Sequence, residues 1–294
     1  MKKTLLLFLI LYASVLHSQK TTQSSILNKK TPNSFIKNHG QIIDQDGKSN
    51  TKVLYLLNTS GLNVQFRKSG FSYDVYEQKP SLRSNKKNLH TFPNQLPPLG
   101  FNPDTTATAL SFHRVDIDFL NINKNVHIEE WGLSKAYTNY YTVPQCEEGI
   151  TKVESFKRIV YKNVYNGIDL EFFVSAESDK PVEYNFIVNP GAEISQIKMK
   201  ISGAPVVLKN NELNLKLIHG NLKETIPKSW IKTDNKEKEV RVSYKQLAAN
   251  IFGFNLAGSN ISNSSTLIID PTPVRQWATY FGGESRDSQE RGGV

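Results

Sequence analysis

The chain has 294 residues, with 36 Lys+Arg against 27 Asp+Glu, one cysteine, 38% hydrophobic residues and 10% aromatics. Short runs of Leu, Ile, Val, Phe, Tyr and Trp recur along nearly the whole length and exclude a disordered chain, because they can bury enough apolar surface to offset chain entropy. A single thiol, Cys146, excludes an internal disulfide scaffold, a CxxC redox pair and a Cys-rich zinc site, while the formal charge of +9 puts nucleic acid or a membrane surface among the partners to be weighed.

The N-terminus carries an export pattern. Met1, Lys2 and Lys3 form a basic start, and Thr4 to Leu16 is a Leu-rich apolar run too short to span a bilayer comfortably. Small Ser18 precedes an abruptly polar stretch, so residues 1–18 read as a signal peptide and 19–32 as a polar linker. Residues 1–18 hold two lysines and no acid, which lowers the formal charge from +9 to +7 after cleavage. No lipobox cysteine follows the run and no later window has the length of a transmembrane helix. The expectation is a soluble exported chain, extracellular or at the cell surface.

Beyond the signal, apolar and polar residues alternate with period two, the mark of half-buried strands. Strands are expected at 52–57, 62–66, 71–76, 109–119, 126–131, 153–160, 168–174, 182–188, 197–201, 212–218, 239–244 and 266–269. In 115–119 the carboxylates of Asp116 and Asp118 share one face and Val115, Ile117 and Phe119 the other. Lys209, Asn210 and Asn211 predict a hairpin between 206–208 and 213–217, since Asn tolerates left-handed angles. The best site for a helical turn is 192–197. Residues 78–107, with Lys79, Arg83, Lys86, Lys87 and five prolines, read as a long exposed loop. Part of the positive charge therefore sits on a loop, and a second basic cluster (Lys228, Lys232, Lys236, Lys238) is interleaved with Asp234, Glu237 and Glu239 as in a solvated hairpin. Nucleic acid is accordingly the least supported partner.

The chemistry-bearing residues are sparse. Asp116/Asp118 and Asp169/Glu171 are paired carboxylates two residues apart on strands, a geometry that a glycosidase could use only if they faced each other across a cleft; the solvent face of a sheet accounts for them more simply. Asp44, Asp46 and Gly47 resemble part of a calcium loop but lack its terminal Glu, so a tight turn is expected. The histidines show no metal spacing, although His113 and His127 would approach if their strands paired. No GxSxG elbow exists, and Cys146, flanked by Glu147 and Glu148, lacks the electropositive setting of a reactive thiol. No catalytic residue, metal site or cofactor is assigned. Trp131, Tyr137, Tyr140 and Tyr141 form the one group able to face a ligand, as an aromatic platform, with core and edge packing the competing account.

Several strings, in order, resemble a known domain family. They are Asn38, His39, Gly40 and Gln41; Asn139 to Tyr141; Tyr161 to Phe172 with Tyr165, Gly167 and Asp169; Tyr184 to Pro190 and Gly191; His219 and Gly220 with Glu224 and Pro227; and Asp270 with Pro271. Together they are similar to the uncharacterised DUF7948-type domain at the N-terminus of exported Bacteroidetes proteins that carry SBBP β-propeller repeats. Trp277, Tyr280, Gly282 and Gly283 resemble the opening strand of a first repeat, and the chain ends within it, so a truncated product is expected. Relatives often carry a sorting domain for type IX secretion, absent here, and tend to have an acid where this chain has Asn185. The resemblance implies a surface β-protein and carries over no catalytic residue.

The expected fold is all-β, an antiparallel β-sandwich-like domain over 33–272 or two β subdomains, with 273–294 starting the repeat. The expected function is that of an exported, non-enzymatic, adhesion-type module preceding a propeller. The alternative is a carbohydrate-binding module, or a glycan-active enzyme using Asp169 and Glu171. Partners implied are an extracellular polysaccharide or a surface protein.

Overall fold

The computed structural model describes residues 33–44, 46–80, 108–174, 182–233, 236–258 and 264–276. Alternation along the chain yields strands, numbered in chain order: β1 (Phe35–Lys37), β2 (Val53–Thr59), β3 (Leu62–Arg67), β4 (Gly70–Pro80), β5 (Thr108–Phe119), β6 (His127–Leu133), β7 (Thr138–Tyr140), β8 (Ile150–Val153), β9 (Ser155–Tyr165) and β10 (Ile168–Phe173). The second half adds β11 (Glu183–Val188), β12 (Met199–Ser202), β13 (Val206–Lys209), β14 (Glu212–Leu217), β15 (Gly220–Thr233), β16 (Lys236–Glu239), β17 (Val242–Ala248), β18 (Ile251–Leu256) and β19 (Thr266–Gln276). The helical turn expected at 192–197 is a single 3-10 turn, Ile194–Gln196.

The chain is all-β and every strand pair is antiparallel, as the alternation implies. The sheet branches at β9. One edge of β9 carries β6; the other carries β10 along most of its length and β1 at its start, with Phe156 paired to Phe35. From β10 the sheet continues through β11, β19 and β15, whose far edge takes β14 and then β16. From β1 it runs through β2, β3, β4, β5, β12 and β18 to β17. The two arms curl toward each other into a nearly closed barrel. The expected all-β, antiparallel architecture holds, with the strands of both arms joined in one barrel-like sheet beside the small β7–β8 pair, and the described residues from 33 onward belong to one compact unit. Periodicity tells which residues face inward; it carries no information on which strand lies beside which.

The inward residues meet in one aromatic ladder. Phe35 packs edge-on against Phe66 at 5.1 Å between ring centres, Phe66 against Phe172 at 4.9 Å, Phe71 against Tyr184 at 5.5 Å, Tyr184 against Phe186 at 6.0 Å, and Phe186 against Phe254 at 5.5 Å, while Phe172 lies tilted against Tyr184 at 5.6 Å. These rings come from both arms. Each such edge-to-face pair adds roughly 0.5–1.5 kcal/mol beyond the burial of its area.

The seam between the arms is held by Asn211. The turn between β13 and β14 has the left-handed angles expected of it, with φ 54° at Asn210 and 60° at Asn211. The Asn211 amide then reaches β17, its oxygen accepting the Tyr244 N–H at 2.7 Å and its nitrogen donating to the Val242 carbonyl at 3.2 Å. A side chain thus stands in for a neighbouring strand.

Several boundaries differ from expectation, among them the strand expected at 239–244, which is divided between the end of β16 and the start of β17. β4 runs to Pro80, because its pairing with β5 continues to Thr108, so the expected loop begins at 81; its remainder, 81–107, lies outside the described residues. Residues 273–276, assigned from sequence to the repeat, belong to β19, where they pair with Asn221 to Glu224 of β15. The signal peptide, the linker and Trp277, Tyr280, Gly282 and Gly283 also lie outside the described residues.

Replacing Asn211 by Ala is expected to lower unfolding free energy by about 2 kcal/mol, the loss of two hydrogen bonds at a partly buried site. Hydrogen exchange at the Tyr244 amide should accelerate in the variant while β3 amides stay protected; unchanged Tyr244 exchange would refute the clasp.

Candidate functional site

The paired carboxylates are engaged on the sheet surface. Arg67 of β3 bridges Asp116 at 3.1 Å and Asp118 at 2.7 Å across β4, and Ser72 donates to Asp116 at 2.6 Å. Burial pushes the Asp116 carboxyl upward, yet the Ser72 and Arg114 hydrogen bonds outweigh it and hold the group below the usual carboxylate range. On β10, Asp169 accepts the Asn163 N–H at 2.7 Å and pairs with Lys162, bridging the irregular register between β9 and β10. Glu171 is held by Arg158 at 2.9 Å and Asn185 at 3.3 Å. Each acid has a basic partner, with Arg67 shared by Asp116 and Asp118, but Asp169 is buried rather than on the solvent face expected of it.

The remaining weak motifs resolve into turns and packing. Asp44 Oδ1 accepts the N–H groups of Asp46 and Lys48, both at 2.9 Å, a tight turn rather than a calcium loop. His113 and His127 do not approach each other through a shared ladder: His113 bonds the Gly203 carbonyl and accepts the Ile218 N–H, while His127 pairs with Lys162 on β9. Among the described residues no group of three or more His, Cys, Asp or Glu side chains could hold a metal ion, and no helix is long and apolar enough to cross a membrane. Cys146 bonds the Gly149 carbonyl in a surface turn.

The exposed aromatics follow one another along β6 and the segment after it. β6 is an edge strand that, among the described residues, pairs with β9 alone. Glu130 turns inward to hold Lys37 at 2.8 Å and the Tyr55 hydroxyl, which pins β6 to β1 and β2. Its neighbour Trp131 is left 50% exposed, and Leu133 60%. The Arg158 guanidinium lies 4.8 Å from the Trp131 ring and braces it from the adjacent strand. Gly132 between them has φ +69°, and a Cβ there would come within 3.1 Å of Lys157. In the segment that follows, Tyr137 is 60% and Tyr141 68% exposed, with the Tyr141 hydroxyl accepting from Asn139. Tyr140 parts from this set: on β7 it alternates with Asn139 and Tyr141, is half-buried, and its phenol is pushed up by that burial.

A second constellation lies in the core. Glu224 of β15 is 1% exposed, and its carboxylate accepts the Tyr73 hydroxyl at 2.7 Å and the Tyr184 hydroxyl at 3.0 Å. Burial raises its pKa from 4.5 to about 7, against the pull of the two tyrosine hydrogen bonds. Tyr73 and Tyr184 are in turn pushed well above the usual phenol range, first by burial and then by the Glu224 charge. Sequence reading named Glu224 and Tyr184 only as parts of motifs. Nothing in a lone Glu within a mixed polar stretch announces burial.

The motif residues have structural uses. Asn38 accepts the Gly40 N–H at 2.8 Å and donates to the Asn50 and Val53 carbonyls, closing the turn around Gly40. Tyr165 donates to the Lys198 carbonyl at 3.2 Å, and Gly167 lies so close to Ala192 that an added Cβ would stand 2.9 Å away. Pro190 and Gly191 end β11, and Asp270 and Pro271 lie within β19.

The Glu224 carboxyl gives a signed pH dependence. Its folded pKa lies above the unfolded one, so its protonated form stabilises the fold fully below about pH 4.5, and that contribution is lost as pH rises through about 7. The span corresponds to roughly 3 kcal/mol. Denaturant melts at pH 5 and pH 8 should show wild type losing more stability than Glu224→Gln; equal losses would remove Glu224 as the cause.

Comparison with curated proteins and with solved structures returns no match. A family model does match, over residues 35–272, a span that begins at β1, runs into β19 and takes in both constellations. The chain belongs to the family described as Domain of unknown function (DUF7948).

Proposed function

We propose that this chain is an exported, non-enzymatic interaction module, of the kind that precedes SBBP β-propeller repeats in Bacteroidetes surface proteins, and that it holds extracellular polysaccharide on the Trp131 face. The carrying observation is the exposure of Trp131, Leu133, Tyr137 and Tyr141 along one edge strand and the segment after it. A sugar ring presents a flat face of C–H groups that packs on the negative face of an aromatic ring, while its hydroxyls stay in water or bond polar neighbours. Arg158 fixes the indole in one orientation, which reduces the ordering cost of binding. The engagement of Asp116, Asp118, Asp169 and Glu171 in ion pairs favours binding over hydrolysis. The export signal at 1–18 supports an extracellular ligand.

A polysaccharide panel on the purified chain tests the reading. Wild type should retain at least one polysaccharide without releasing reducing ends, and Trp131→Ala should weaken that binding about tenfold, the value of one stacking contact of ~1.4 kcal/mol. Retention unaffected by Trp131→Ala and by Tyr141→Ala, or a wild type that binds no member of the panel, would overturn it.

A further inference from the structure

β4 and β5 run on past the strands that flank them. β3 pairs with β4 only as far as Val75, and β12 with β5 only from Asp116 onward, so 76–80 and 108–113 make a two-stranded ribbon. The turn between β14 and β15 packs on this ribbon. Leu217 pairs with Gly220 and leaves Ile218 and His219 as its two turn residues. His113 holds the turn in place: its Nδ1 accepts the Ile218 N–H at 3.0 Å, which leaves Nε2 to donate to the Gly203 carbonyl at 2.9 Å.

His219 bridges two residues that stand directly opposite each other on the ribbon, Glu77 and Ser111. Its Nδ1 lies 3.1 Å from Glu77 Oε2, and its Nε2 lies 2.8 Å from Ser111 Oγ. A carboxylate can only accept, so the proton of the neutral imidazole sits on Nδ1, and Nε2 is left to accept the serine O–H. An orienting acid, a base with a free nitrogen and a hydroxyl bonded to that nitrogen are the parts of an activated serine, which is recognised by geometry and not by order in the chain. A backbone donor lies alongside. The Tyr76 N–H turns away from β5 to the Gly61 carbonyl at 3.0 Å, so in the Tyr76–Phe112 pair the Phe112 N–H turns away from β4. It faces the edge of β5 that β12 leaves uncovered, and it belongs to the residue after the serine, from which a donor can meet a developing oxyanion.

We propose that Ser111 is an activated nucleophile that takes an acyl group from a short-chain ester of the acetyl kind, free or carried on a polysaccharide. Ser111 Oγ attacks the ester carbonyl carbon while its proton passes to His219 Nε2, and Glu77 stabilises the imidazolium that forms. The bond from carbonyl carbon to alcohol oxygen then breaks, the leaving oxygen takes the proton back from Nε2, and the acyl group stays on Ser111 as a new ester. The Glu77 side chain is 49% exposed, so the site opens at the surface, where a short acyl group needs no deep pocket. The inference goes beyond the Trp131 reading. Acylation modifies the module on strands other than β6, and it stands whether or not that face holds polysaccharide.

The full chain carrying Cys146→Ala, which removes its one thiol, is treated with p-nitrophenyl acetate, p-nitrophenyl octanoate or a fluorophosphonate, and the modified residue is located by mass spectrometry. Both the acetate and the fluorophosphonate should label Ser111, the acetate with a burst of about one nitrophenolate per chain. Ser111→Ala should abolish the label, and His219→Gln should slow it about a hundredfold or more. Because the His219 side chain is 7% exposed and also ties the turn, Glu77→Gln supplies a second test at an exposed position. It should slow labelling at least tenfold with unchanged melting, and the imidazole nitrogen shifts of His219 should show the proton on Nδ1 in wild type and its loss from Nδ1 in the variant. Protection by an acetylated polysaccharide and not by its deacetylated form identifies a polymer-borne ester, and protection by neither identifies the small one. Label spread over lysines, rates indifferent to both His219→Gln and Glu77→Gln, or faster reaction with the octanoate would overturn the proposal.

Discussion

The curl of one sheet around a ladder of aromatic rings is the constraint from which the other features follow. β9 cannot feed two arms unless both bend back to cover their apolar faces, and the rings of Phe66, Phe71, Phe172, Tyr184, Phe186 and Phe254 are what the arms bend around. Edge-to-face packing needs rings at definite angles, so the ladder sets how tightly the sheet curls as well as how much area it hides. The single cysteine fits this economy: a domain of this size rests on core burial and needs no crosslink.

A closed interior makes polar groups costly, and the domain sorts them accordingly. Inside, Glu224 is tolerated because two tyrosines donate to it, and the dry surroundings shift it toward its neutral form. Nearer the surface, Asp116 and Asp118 of β5 are matched with Arg67, Glu171 with Arg158, and the buried Asp169 with Lys162, which leaves those strands electrically quiet.

The edges are where the fold has surface to spare. Edge strands invite unwanted pairing, and β6 counters that with Glu129, Glu130 and a glycine of positive φ while still showing Trp131 and Leu133 to solvent. The seam, closed by a side-chain amide instead of a full ladder, leaves a gap that a continuous sheet would have filled. The candidate binding region around Trp131 is thus a by-product of where the sheet stops.

Most strand positions, the Asn210 and Asn211 turn and the shared face of Asp116 and Asp118 were legible in the residues, because period-two alternation and left-handed turn preference are local properties. β15 and β18 were not. Gly220–Thr233 carries Glu224, Pro227 and Ser229 where alternation would place apolar residues, and it holds as a strand because β19 supports one edge along most of its length. Ile251–Leu256 contains Gly253, whose missing Cβ lets the Ile197 carbonyl come close. Sequence by itself determined that this is an all-β chain with its apolar residues on one side of each strand, and its motifs pointed to the family. Tertiary structure alone decided that all strands but β7 and β8 join in one curled sheet and that Glu224 is buried between two tyrosines. Pairing partners and burial depend on contacts between residues far apart in the chain, and no local pattern encodes them.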